Sequence, residues 1–357
     1  MKRSVQVTLG LVVLTIAFTG STSGAADGTG PTVAELMRHL GFAEHLEDGL
    51  RKGTVLSTGM PKVEQKKNEL AVSAVMLVVR RPMAEVVDAY MDGEIFRLDP
   101  DLKAFKEIGT PATADEVTLA SFAGIGYTSK ETSEARKVTK FKQGEAFNLS
   151  AAETVSFQAI KHNDPELVNM VSEAWRTVLL DRYRDYLSEG TAGIEPYRRS
   201  RKKQVFPGKE LIVATASMTL LRDHFAGFYE GILSFPEPVK GDETPVEHRF
   251  FWLETRVQNR PTFILTHHAT DIDDNYAVIL EQQFYVSHSY NSLEAMIGCV
   301  PFEGGTVVFY TIRTFTDQVT GFASGIARSI GRSQIQKSVT AQLEKLRTVL
   351  ERRSAGG

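Results

Sequence analysis

The sequence predicts an α+β protein: an antiparallel β meander packed on a long C-terminal helix, with a helical insertion ahead of the meander. Three observations carry this. Five segments, at 246–257, 262–270, 276–288, 293–302 and 306–316, read as successive strands. They are joined by the turn clusters Asn259-Arg260-Pro261, Asp271-Ile272-Asp273-Asp274-Asn275 and Gly304-Gly305. The stretch 318–352 then switches to helical spacing, with Val319, Phe322, Ile326, Ile330, Ile335, Val339, Leu343, Leu346 and Leu350 as an apolar stripe. The middle third, 129–235, is mostly helical.

From the N-terminus, Lys2 and Arg3 precede a charge-free, mostly apolar run from 5 to 20, followed by Ser23 and Ala25 at the spacing a signal peptidase accepts. Residues 1–25 therefore read as a cleavable signal peptide. The expected location is periplasmic or secreted, with no lipobox cysteine and no transmembrane helix in the mature chain. Residues 26–128 carry two short helices, with Val33, Leu36, Met37 and Leu40 on one face of the first and 42–50 forming the second. Extended runs follow at 53–60 and 69–79, the latter apolar on both sides as in a strand buried on both faces. Arg81-Pro82 opens a helix to Met91, Pro100 marks a break, and 115–123 fits strand or helix equally.

The insertion, 129–235, begins with a polar helix at 129–138. Ser150 and Glu153 form a capping box. Leu167, Val168, Val171, Trp175, Val178, Leu179 and Leu187 make the clearest amphipathic stripe in the chain. A basic connector at 195–207 and helices at 208–218 and 220–233 complete it. Residues 236–357 hold the meander and the last helix. Gly321, Gly325 and Gly331 in that helix each cost about 1 kcal/mol relative to alanine, which suggests either close packing on the sheet or a ligand beside them.

Composition limits function. The chain has 357 residues, 42% hydrophobic and 24% charged, with a formal net charge of −3. Losing Lys2 and Arg3 makes the mature chain more acidic, so nucleic acid is not an expected partner. Cys299 is alone, which rules out an intramolecular disulfide and reads as a buried strand residue. There is no serine nucleophile elbow, HExxH, CxxC or haem-attachment motif; no cofactor or metal is expected, and no catalytic residue is identified. His267 and His268 are adjacent and should face opposite sides of a strand, with His288 near enough to approach one of them. Asn148-Leu149-Ser150 is a formal glycosylation sequon. Arg198, Arg199, Arg201, Lys202 and Lys203 form a basic run, which reads either as a solvated loop or as a dock for an anionic membrane surface.

The segments RRPMAEVVDAYMD (81–93) and TDQVTGFASGIARSIGRSQIQKSVTAQLEKLR (316–347) resemble the first and closing helices of the START-like, helix-grip superfamily. The order of strand, helix, meander and long last helix resembles it too, over about half the mature chain. The helical insertion departs from its pattern. The resemblance implies a sheet wrapped around the last helix with an apolar cavity between them. The expected function is binding of a lipid or other apolar small molecule, with Phe322, Gly325, Ile326, His267 and His288 as candidate ligand contacts. The alternatives are an exported enzyme using acid-base residues on the cavity wall, His267, His268 or His288 among them, or a non-catalytic envelope scaffold.

Overall fold

The computed structural model describes residues 30–59, 69–91, 99–142, 144, 146–238, 246–317 and 324–352. The signal-peptide segment 1–25 lies outside the described residues. Helix α1 (Val33–His39) starts at a capping box: Glu35 N donates to the Thr32 hydroxyl, and the Glu35 carboxylate accepts from Thr32 N. A 3-10 turn and α2 (Glu47–Arg51) follow, then β1 (Leu56–Gly59), β2 (Glu69–Val79), α3 (Met83–Met91) and β3 (Leu102–Gly109).

Residues 111–238 form the insertion between β3 and the meander. They comprise α4 (Thr132–Thr139), α5 (Ala151–Gln158), α6 (Leu167–Glu189), the hairpin β4 (Tyr197–Arg198) and β5 (Gln204–Val205), α7 (Pro207–Ala216), α8 (Thr219–His224) and α9 (Ala226–Ser234). The meander is β6 (Glu247–Val257), β7 (Arg260–Asp273), β8 (Tyr276–Val286), β9 (Ser292–Phe302) and β10 (Gly305–Phe315), and α10 (Ser324–Arg352) closes the chain.

Eight strands form one antiparallel sheet in the order β1-β2-β10-β9-β8-β7-β6-β3. Two meander turns put residues in the left-handed region, as two-residue hairpins with native strand twist require: Gln258 and Asn259 (φ 54° and 60°), and Glu303 and Gly304 (φ 44° and 77°). Gly298 lies under the Phe309 ring, where β9 has room for glycine alone, since a Cβ there would sit 2.0 Å from Phe309 Cζ.

Both sheet faces are covered. On one, α3 and α10 pack against alternate residues of the strands; Ile335, Val339, Leu343, Leu346 and Leu350 of α10 meet Val75, Leu77, Ile297, Val308 and Ile312 in a single core. The C-terminal end of α10 is pinned: Arg347 donates to Gly53 O at 2.8 Å, and Glu351 accepts from Arg80 N at 2.8 Å. The other face carries two cores. The α4–α6 region packs on Phe250, Trp252, Phe263, Leu265 and Phe284. Helices α1, α8 and α9 pack on Met76, Leu280, Met296, Val307 and Phe309. The alternate residues of β2 thus enter cores on both sides, in keeping with its doubly apolar sequence.

The five meander strands and α3 fall where the periodicity predicts. Three readings need correction. Strand β3 has no counterpart among the predicted elements. It is an edge strand with two register irregularities against β6, which break the period-2 pattern. Residues 115–123 are neither strand nor α-helix but short 3-10 pieces. The helix at 220–233 is split at Phe225 into α8 and α9.

Candidate functional site

A polar row crosses the α10 face of the sheet. Register places Ile312, Ala295, Glu281, His268 and Arg249 directly opposite one another on β10, β9, β8, β7 and β6. Side chains alternate along each strand, so Glu281, His268 and Arg249 share the face of Ile264, Ile279 and Ile297. The row ends at the edge strand β3, where Arg249 donates to both Glu107 carboxylate oxygens at 2.9 and 2.5 Å. Glu107 is partly exposed, whereas Glu281 is fully buried. The row therefore leads from the rim of the sheet to its interior.

A second line of hydrogen bonds reaches the same carboxyl. Tyr290 donates to Gln283 Oε1 at 2.5 Å, and Gln283 Nε2 donates to Glu281 Oε1 at 2.7 Å. The other carboxyl oxygen, Glu281 Oε2, has no hydrogen-bond partner among the described residues. The same holds for His268 Nε2, Thr266 Oγ1, Thr314 Oγ1, Tyr310 Oη, Arg249 Nη1 and, on α3, Tyr90 Oη. All seven atoms are buried. Leaving such a group unsatisfied costs about 1–3 kcal/mol, and roughly nine in ten buried polar groups in native proteins avoid it.

The electrostatics follow from burial. Desolvation pushes the Glu281 carboxyl up to about 8, with the Gln283 hydrogen bond opposing it. Burial and the Arg249 guanidinium push His268 down to about 3. Burial raises the Tyr90, Tyr290 and Tyr310 hydroxyls well above their ordinary value. The nearby Glu281 carboxyl adds to the shift at Tyr290 and Tyr310. At neutral pH the inner part of the row is thus an uncharged set of hydrogen-bonding groups, and a charged pair, Arg249–Glu107, stands at its outer end.

The opposite face carries a second row, in which hydrogen bonds join His267, by way of Tyr186, to Gln282 and on to Glu294. Phe250, His267, Gln282, Glu294 and Arg313 lie opposite one another in register. His267 Nδ1 lies 2.8 Å from the Tyr186 hydroxyl, and its Nε2 lies 2.8 Å from His248 Nδ1. Tyr186 donates to Gln282 Oε1 at 3.1 Å, which leaves the tyrosine oxygen to accept from His267. Gln282 Nε2 donates to Glu294 Oε2 at 2.8 Å and to Thr215 Oγ1 at 3.0 Å. Phe250 stacks on the His267 ring at 4.6 Å between centroids. This network ties α6 and α7 to the sheet.

The sequence-predicted residues separate accordingly. His267 and His268 do face opposite sides, and it is His268 that lies on the face carrying α10. His267 belongs to the network facing the insertion. His288 reaches neither: Thr262 Oγ1 and Pro261 O lie 3.0 and 2.9 Å from its Nε2, and Phe147 of the insertion lies against its ring. Phe322 lies outside the described residues. Gly325 and Ile326 are in the first turn of α10. Cys299 is buried on β9 and its thiol is pushed up to about 12 by desolvation. Asn148 is buried, with its amide donating to Val286 O and Tyr290 O, so the sequon nitrogen is occupied in the folded chain. The aspartates at 271–274 form a hairpin end, where Asp273 accepts from Asn275 N.

The basic run is corrected at one position. Arg199 turns inward and is buried; its Nε donates to Asp317 at 2.7 Å and its Nη2 to Asn148 Oδ1 and Asn291 Oδ1. Alternation in the hairpin puts Arg199 on the protein side, which a count of charges does not reveal. Sequence reasoning also passes over Glu281, Gln283, Tyr290 and Tyr310. The available signal is the register: the Glu281-Gln282-Gln283 run in a mostly apolar strand, with Glu281 and Gln283 on one face and a histidine opposite Glu281 across one hairpin.

Among the described residues no group of three or more histidine, cysteine, aspartate or glutamate side chains is placed to hold a metal ion. No helix among them is long and apolar enough to cross a membrane. Comparison with protein-family models, with curated proteins and with solved structures finds no match.

Proposed function

We propose that this is an exported protein of helix-grip type that binds an apolar small molecule between the sheet and α10, with the Glu281–His268 region as its polar contact. The observation that carries the reading is the group of seven buried polar atoms without partners among the described residues on this one face, gathered around Glu281 and His268. The other face holds the hydrogen-bonded His267–Gln282–Glu294 network, and there Trp175 Nε1 and Tyr183 Oη are unpartnered among the described residues. A ligand whose polar end reaches Glu281 Oε2 and His268 Nε2 would satisfy groups left unmet among the described residues, while its apolar part would lie among residues of the α10 core. The strand order supports the helix-grip comparison. The strand before α3 pairs with the last strand of the meander, the strand after α3 pairs with the first, and the long helix lies on one face. Export rests on the composition of residues 1–25.

The test is denaturing extraction of protein purified from its native cell, followed by mass spectrometry of the extract. A single apolar compound near one equivalent per chain supports the reading. An extract with no such compound, from protein that is folded and well packed, opposes it.

One observation favours a second reading, acid-base catalysis on the same face. Glu281 is held protonated near neutrality directly opposite a neutral His268, an arrangement in which a carboxylic acid can donate a proton and an imidazole can accept one. In that case the extracted compound would be turned over by the wild-type protein, and Glu281→Gln would retain binding while abolishing turnover.

A further inference from the structure

We infer that the tip of the β4–β5 hairpin and the outer side of α7 form a docking surface for an anionic lipid membrane. The surface is independent of the ligand reading and lies in the insertion, outside the main sheet.

The chain concentrates positive charge here. Residues 197–216 contain six basic residues and one acidic residue, in a chain whose formal net charge is −3. The fold sorts those charges by task. Arg199 is spent internally: it is bound to Asp317, Asn148 and Asn291 and holds the base of the hairpin to the body. The single acid, Glu210, also turns inward and accepts from Asn291 Nδ2 at 3.0 Å and Ser292 Oγ at 2.8 Å. Arg198 is half-buried, with its Nε inside the protein; that leaves Arg201, Lys202, Lys203 and Lys209 exposed, with no acidic residue of this segment among them.

The tip is preorganised. Arg199 N and Ser200 N both donate to Lys203 O at 3.0 and 3.1 Å. The Ser200 hydroxyl accepts from Lys202 N and Lys203 N at 3.3 and 3.1 Å. The turn is thereby fixed with Arg201 and Lys202 at its apex. Among the described residues neither of these two side chains makes an ion pair or hydrogen bond. Lys203 stands 3.9 Å from Asp317, whose charge is already shared with Arg199.

Apolar side chains lie beside the charges. Phe206 follows the hairpin and is 41% exposed, with Lys209 Nζ 4.7 Å from its ring centroid. On α7, Lys209, Ile212, Val213 and Ala216 recur at helical spacing, and Ile212 is 45% exposed. Basic groups that meet lipid phosphates, flanked by an aromatic ring and an aliphatic stripe that can enter the headgroup region, match the chemistry of a monotopic contact. The charge complementarity selects an anionic surface over a neutral one.

The experiment is co-sedimentation of the full chain with vesicles of phosphatidylcholine alone or with phosphatidylglycerol, at low and high salt. Every variant carries the same residues 1–25, so any lipid affinity of that apolar run is common to all of them. Binding should rise with phosphatidylglycerol and fall with salt. Arg201→Glu with Lys202→Glu should weaken binding more than about 25-fold, since each lost charge is worth roughly fivefold at the surface. Phe206→Ser should weaken it at both salt concentrations. Lys52→Glu with Lys161→Glu changes the net charge equally, at exposed sites away from this segment, and should have a much smaller effect. Circular dichroism checks that each variant is folded. The inference is overturned by binding that ignores phosphatidylglycerol, by a hairpin variant that binds like wild type, or by a control pair that weakens binding as much as the hairpin pair.

Discussion

Glu281→Gln offers a quantitative test of the polar row. In the folded protein the Glu281 carboxyl is pushed up to about 8, against an ordinary value of 4.5, because it is fully buried with no cation beside it among the described residues. The folded state therefore holds a proton that the unfolded chain releases. The stability this group supports is complete below pH 4.5 and is lost as pH rises through 8. A tenfold difference in proton affinity between the two states is worth about 1.4 kcal/mol, so the loss is about 3 kcal/mol at pH 7 and about 5 kcal/mol above pH 9. Glutamine has nearly the same shape, keeps an oxygen for the bond from Gln283 Nε2, and carries no charge. The variant, freed of ligand, should match wild type near pH 4.5 and become progressively more stable than it toward pH 9. Urea denaturation of the two proteins at pH 5, 7 and 9 measures this, and the other titrating groups cancel in the difference. Parallel stability profiles, or a variant less stable than wild type at pH 9, would refute the burial argument.

Further outcomes follow from the packing. Trp175 is fully buried between Phe147, Phe157 and Phe263; Trp175→Ala should cost about 3–5 kcal/mol in chemical denaturation. Arg199→Ala leaves Asp317 buried without its closest cation and should cost about 3–5 kcal/mol by the same assay. Cys299 should resist iodoacetamide in the folded protein and react fully in urea, because its thiol is buried and its pKa is pushed up to about 12.

The parts of the fold that are legible in the sequence are those with regular period. The meander strands and the α6 stripe repeat for ten residues or more, so small irregularities do not hide them. Strand β3 is hidden because two irregularities interrupt its eight residues. The candidate site is legible only in part, for a geometric reason. His268 and Glu281 are thirteen positions apart, and nothing local marks either as special. They become neighbours only when the β7–β8 register is known. Likewise His267 and His268 can be assigned to opposite faces from alternation alone, but not to a particular layer, because the sheet is covered on both sides. The inward turn of Arg199 depends on Asp317, more than a hundred residues later.

The central claim is that a ligand sits on the α10 face at Glu281. Native mass spectrometry of the intact chain, carrying whatever it binds in its own cell, tests this with two variants. Glu281→Leu removes the polar contact on that face, and His267→Ala alters the opposite face. The account predicts an adduct on wild type and on His267→Ala, and its loss from Glu281→Leu. An adduct retained by Glu281→Leu and lost from His267→Ala would contradict it.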